Sequence, residues 1–133
     1  MRVLLDTNAC SALFRGHHGL TDRVRHADQV LISAIVAGER LFGFRHGSHY
    51  EANARIFERF LANPYVAFLP VTLVAADRYA RISTSLRRKG RPLPDNDIWI
   101  AAHAMESGAD LLSFDQHFAH VDGLALVHPE GAE

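Results

Sequence analysis

The chain has 133 residues, 48% of them hydrophobic and 22% charged, enough for one sizeable core and too apolar for a disordered or low-complexity protein. A lone cysteine, Cys10, excludes an internal disulfide and a cysteine metal cluster, and the longest apolar stretch, residues 66–76, is too short to cross a bilayer. The formal net charge is −1, but it is unevenly spread: all 14 Lys and Arg lie within residues 1–91, which carry +7, while residues 92–133 carry −8, a division that suits one basic face and one acidic pocket.

The pattern predicts a single domain over residues 1–133. Residues 2–5 read as a short buried strand. Asp6 or Thr7 caps a helix running to about Arg15, and residues 16–19 form a loop. A short helix over Leu20–His26 and a strand over Val30–Ile32 follow. Ser33 then caps a helix over Ala34–Phe44. A further helix over Tyr50–Ala62 stops at Asn63–Pro64, and Val66–Leu69 makes a third strand. A long helix over Leu73–Arg88, with Val74, Tyr79, Ile82 and Leu86 on its buried side, ends at Lys89–Gly90. Asp95 or Asp97 caps the next helix, which runs to Glu106 and closes at Gly108. Leu111–Phe114 is a fourth strand, His117–Phe118 a helical turn, Leu124–Val127 a fifth strand, and a tail begins at Pro129. Apolar strands alternating with helices imply an α/β fold: a mainly parallel sheet of four or five strands, covered on both faces. Because Asp6 breaks the N-terminal apolar run after three residues, no secretion signal is expected, and a cytoplasmic location with no membrane contact follows.

In such a fold ligands bind beyond the carboxyl ends of the strands. Asp6 follows the first strand and Asp115 the fourth, so both belong to that rim. Asp95 and Asp97 open a helix, where backbone N–H groups favour negative charge. Glu39 sits among Ile35, Val36, Ala37 and Gly38, half-buried and in need of a partner. Each aspartate alone is equally explained as a helix cap. Together they are like charges that call for a cation, and an all-oxygen set suits Mg²⁺ or Mn²⁺ rather than Zn²⁺. Thr7, Asn8, Ser113 and Asp95 are candidates to orient a carboxylate or a water, although Thr7 and Ser113 are also explained by backbone hydrogen bonds and Asp95 by a helix cap.

Four segments together resemble the PIN-domain nucleases, and within them the toxins of VapBC-type toxin–antitoxin pairs. They are Leu5-Asp6-Thr7-Asn8, Ser33 through Glu39, Pro94 through Ala102 (PDNDIWIAA) and Leu111 through Phe118 (LLSFDQHF), and the likeness runs from Leu4 to about Val127. The resemblance implies a PIN-like three-layer α/β sandwich. Asp6, Glu39, Asp97 and Asp115 would be the catalytic, metal-holding set, and Asp95 has no fixed counterpart. It further implies Mg²⁺- or Mn²⁺-dependent endonucleolytic cleavage of RNA, such as tRNA or rRNA. The partners would be a second copy in a homodimer and a small inhibitory antitoxin, with operator DNA bound only through that antitoxin.

On this reading one or two ions activate a water for in-line attack on a backbone phosphate, leaving a 5′-phosphate and a 3′-hydroxyl. Residues 78–91 contain Arg78, Arg81, Arg87, Arg88, Lys89 and Arg91 without an acid, the best phosphate-binding stretch in the chain, though a solvated helix end would also explain it. Arg15, His17 and His18 flank a loop near the rim, and His117 lies close to Asp115. Trp99 reads as core or dimer surface. A haloacid-dehalogenase-like phosphatase needs an Asp at position 8, where Asn8 stands, and a Lys after Lys89, where none exists. A non-catalytic binding module on the same fold is the other alternative.

Overall fold

Val3, Leu4 and Leu5 are completely buried, which is why an unbroken apolar run rather than an alternating one makes the first strand: helices cover both of its faces. The computed structural model describes residues 1–131. In chain order it comprises β1 (Arg2–Leu5), α1 (Thr7–Phe14), α2 (His18–His26), β2 (Gln29–Ser33), α3 (Ala34–His46), α4 (Tyr50–Leu61), β3 (Val66–Leu69), α5 (Leu73–Lys89), α6 (Asp95–Ser107), β4 (Asp110–Leu112), a 3-10 turn (Gln116–His120) and β5 (Leu126–Val127).

The five strands pair in the order β3-β2-β1-β4-β5, every pairing parallel, with Val3 opposite Val30 and Asp110, and Leu112 opposite Val127. The chain therefore travels outward from β1 through β2 to β3, then returns across the sheet to add β4 and β5 on the other side. The reversal falls between β1 and β4. Loops leaving the carboxyl ends of those two strands diverge there and open a crevice, the place where sheets of this kind bind ligands. The expected parallel α/β sandwich is thus present.

Several boundaries differ from the sequence reading. α2 begins at His18, because the His17 imidazole accepts the Leu20 amide at 3.2 Å and caps a helix where a loop was expected. β4 stops at Leu112 and β5 starts only at Leu126. Ser113 turns its side chain into the site, and Gly123, at φ +80°, turns the chain before the last strand. Neither Asp95 nor Asp97 caps α6: Pro94 occupies the cap and makes no side-chain bond, and both aspartates lie inside the first turn, where the helix dipole favours them. Val74 is 65% exposed rather than on the buried side of α5, which is formed by Ala75, Ile82 and Leu86. Pro129 is buried, and the tail is strapped to α2 by Arg23, which donates to the Pro129 and Gly131 carbonyls. The last two residues of the expected tail lie outside the described residues.

Candidate active site

Asp6 leaves β1 at the reversal point and caps α1. Its Oδ1 accepts the Ala9 amide at 2.8 Å and its Oδ2 accepts the Ser113 hydroxyl at 2.5 Å. Only 6% of the residue is exposed. Burial pushes its carboxyl above the ordinary range. The bonds from Ser113 and Ala9 oppose that shift, while the charges of Asp115 and Glu39 add to it. Asp6 N also donates to Leu112 O at 3.3 Å, so the departing backbone stays stitched to the end of β4.

Ser113, fully buried, joins the two sides of the crevice. While donating to Asp6 it accepts the Asp115 amide at 3.0 Å. Asp115 in turn caps the 3-10 turn, taking the His117 amide and imidazole Nδ1 on Oδ1, each at 2.9 Å. Asp97, in the first turn of α6, is half-buried, and its carboxyl is pushed up to about 6. The causes are burial first, then the charges of Asp115, Asp6 and Glu39, with His117 opposing. Glu39 reaches back from α3 and accepts the Thr7 hydroxyl at 2.6 Å. Asp6, Glu39, Asp97 and Asp115 thus come from four distant segments into mutual electrostatic reach.

The other expected site residues divide. Thr7 and Ser113 do hold carboxylates. Asn8 is exposed on the first turn of α1. Asp95 turns away from the cluster and accepts the Tyr79 hydroxyl at 2.8 Å, so it does not support the other carboxylates as expected. Arg15 lines a groove running from Thr7 and Glu39 between α1, α3 and α4. Arg40, to which no role was assigned from the sequence, lines the same groove. Its guanidinium lies over Phe14 and Phe44, 5.2 and 4.8 Å from the ring centroids, and donates to Ser11 at 2.7 Å. The usable signal was Phe44 four positions along the same helix.

The expected basic stretch is divided between sides of the α5 end, with Arg81, Arg88 and Lys89 around one concavity and Arg87 at another. Arg87 faces the turn between α5 and α6, beside Asp95. Arg88 lies with Arg81 and Asp77 on another side of α5. Lys89 is taken up by Asp122 at 2.6 Å and by the His120 carbonyl at 2.9 Å. Arg91 is exposed.

The acidic set does not form a closed cage: among the described residues, no three His, Cys, Asp or Glu side chains stand close enough to grip one ion. A hard cation that keeps several waters and binds through one or two carboxylates needs no such cage. The donor chemistry fits it, since oxygen atoms converge and no Lys or Arg contributes to the shifts at Asp6 or Asp97.

An acidic crevice at the reversal point of a parallel α/β sandwich is the arrangement of the PIN fold, and the chain belongs to the PIN domain family, whose model matches residues 3–124. Its relatives narrow the branch. Ribonuclease VapC1 of Haemophilus influenzae (strain R2866) is 29% identical over 117 residues, covering 85% of this chain and 86% of the relative. The tRNA(fMet)-specific endonuclease VapC of Shigella flexneri is 26% identical over 127 residues, covering 93% and 95%. The solved structure of VapBC-1 from nontypeable Haemophilus influenzae superposes with a TM-score of 0.88 at 26% identity, over 98% of this chain and 100% of that one.

Proposed function

We propose that this chain is a metal-dependent endoribonuclease and the toxin of a toxin–antitoxin pair. The observation that carries the proposal is the convergence of four carboxylates at the reversal point, where burial first and then the charges of Asp115, Asp6 and Glu39 drive Asp97 up to about 6 against the opposing His117. Relatives named as ribonucleases support RNA as the substrate, and the Shigella relative's name points to tRNA as the first to test.

Asp6, Glu39, Asp97 and Asp115 would hold Mg²⁺ or Mn²⁺, one ion or two, directly or through water. Such an ion supplies water activation and neutralises charge on the transferring phosphoryl group. The chain's own residues do the positioning. Ser113 fixes Asp6 in one rotamer and ties it to the Asp115 backbone, and Thr7 fixes Glu39. Arg15 and Arg40 line the groove beside Glu39 and meet the RNA backbone there. Arg87, Arg88 and Arg91 add long-range attraction, in which Lys89 has little share.

A small antitoxin is the proposed partner, supported by the likeness to a chain of the VapBC-1 structure and to one of VapBC-5 from Mycobacterium tuberculosis, a member of the VapBC family of toxin–antitoxin systems. A homodimer, and operator DNA reached only through the antitoxin, belong to the same proposal. No helix among the described residues is long and apolar enough to cross a membrane.

The test is cleavage of tRNA and rRNA by purified protein with Mg²⁺, with Mn²⁺ and with EDTA, with the ends mapped and Asp6→Asn as control. Metal-stimulated cuts leaving 5′-phosphates, absent in Asp6→Asn, are expected. Cleavage indifferent to EDTA and to that substitution would overturn the proposal, and a folded protein that cuts no RNA would favour a non-catalytic binding module.

A further inference from the structure

α5 and α6 run antiparallel. Thr72, at the start of α5, donates to Glu106 near the end of α6 at 2.8 Å, and further along Tyr79 meets Asp95. The connection turns at Gly90, which adopts φ +65°, and leaves a concavity of about 530 Å³ between the C-terminal half of α5 and the first turn of α6. Leu86 and Ile98, both nearly inaccessible, form its floor, and Leu93 packs at its side. Tyr79 is the opposite wall, stacked on Trp99 with centroids 4.3 Å apart and planes 23° off parallel. Arg87 and Asp95, both exposed, are its only charged lining residues among the described residues.

We propose that this concavity is a nucleobase subsite that takes a base bearing an exocyclic amine from the RNA strand lying along the acidic crevice. The inference rests on the nuclease reading above. Three observations carry it. The first is composition: an apolar floor with an aromatic wall suits the face of a planar base and rejects a phosphate. The second is Asp95. Tyr79 uses one of the roughly four lone-pair sites of its carboxylate, leaving acceptors at the rim. A carboxylate there selects a base edge that donates. Cytosine and adenine offer an amine and guanine its amine together with N1–H, whereas the lone N3–H of uracil is flanked by two carbonyl oxygens that repel a carboxylate.

The third is placement. Asp95 and Ile98 share the pocket side of the first turn of α6, while Asp97 on the same turn faces Asp6 and Asp115. A helix is only about 10 Å across, so a strand with its phosphate at the acidic crevice brings a neighbouring base to this opening. Arg87, which lines the same concavity, is available to that nucleotide's phosphate.

Trp99 is the single tryptophan and backs the pocket wall, so its fluorescence reports occupancy directly. Titration with GMP, AMP, CMP and UMP without metal should quench it, the three amine-bearing nucleotides at concentrations at least about tenfold lower than UMP, the size of one good base-edge contact. Asp97→Asn should keep that discrimination, because Asp97 faces the other way. Asp95→Asn should flatten it. Equal response to all four nucleotides, or discrimination unchanged in Asp95→Asn, overturns the subsite. Cleavage of RNA oligonucleotides differing at one base is measured alongside. Discrimination in the fluorescence assay by a protein that cuts no RNA would leave the subsite standing and remove the nuclease reading instead.

Discussion

Ser113 Oγ donates to Asp6 Oδ2 at 2.5 Å while accepting the Asp115 amide at 3.0 Å, so one buried hydroxyl spans the crevice between the carboxyl ends of β1 and β4. Without it Asp6 loses its rotamer lock and a buried acceptor loses its donor. Ser113→Ala should cut single-turnover RNA cleavage about 10- to 100-fold and raise the Mg²⁺ concentration required. Ser113→Thr, which keeps the hydroxyl, should recover most of the loss. Wild-type rates in Ser113→Ala at limiting Mg²⁺ would show that the bond plays no part in positioning Asp6.

Asp6 serves both as helix cap and as metal-holding candidate, and two substitutions separate these roles. Asparagine keeps the cap to the Ala9 amide and removes the charge, so Asp6→Asn should lose cleavage with its denaturation midpoint preserved. Alanine removes both, and Asp6→Ala should in addition lose about 1 kcal/mol of stability in urea melts. Equal stability of the two variants would mean that the cap contributes little.

The folded-state carboxyl of Asp97 lies near 6 against an ordinary 3.8. Between those values the folded protein binds more protons than the unfolded chain, so stability contributed by this group is fully present below about pH 4 and is lost as pH rises through about 6. Asp6 is shifted in the same direction and adds to the trend. In EDTA the urea midpoint of the wild type should therefore fall from pH 4 to pH 6.5 more steeply than that of Asp97→Asn. Parallel profiles would remove Asp97 from the coupled set.

A cation that relieves the same repulsion must favour the folded state. Mg²⁺ at 100 times its dissociation constant should stabilise the wild type by about 2.7 kcal/mol, read as a rise in melting temperature. Asp6→Asn and Asp97→Asn should show a clearly smaller rise. An equal rise in both variants would place the ion elsewhere.

For the basic residues the expectation is unequal. Arg15→Ala, in the groove beside Glu39, should weaken RNA binding and reduce the slope of log affinity against log salt by about 1. Lys89→Ala should change that slope little, because Asp122 already neutralises the ammonium. A larger loss in Lys89→Ala would reverse this ranking.

Much of this was legible in the sequence, for identifiable reasons. Strands buried on both faces announce themselves as unbroken apolar runs, which is how residues 2–5 gave β1, and the side chains following β1 and β4 had to share a rim because parallel strands end together. Glu39 could be singled out because a carboxylate among small and apolar neighbours needs a partner, which the structure supplies in Thr7. Asp95 and Asp97 stand two positions apart in α6, about 200° around the helix, so they face nearly opposite sides; the expectation that one of them caps the helix from outside hid this, whereas Pro94 occupies the cap. The pairing of Lys89 is not visible in the sequence because its partner, Asp122, lies 33 residues away. Arg40 was overlooked because the rings that hold it come from two different helices.

Strand β4, which delivers Ser113 and Asp115, slots against β1 from more than a hundred residues downstream. A nascent chain leaving the ribosome at roughly 5–20 residues per second exposes Asp6 well before its counterparts exist. Chains terminated before residues 110–115 would therefore lack Asp115 and the Ser113 that ties Asp6 to it, and the crevice can assemble only after Asp115 has left the ribosome.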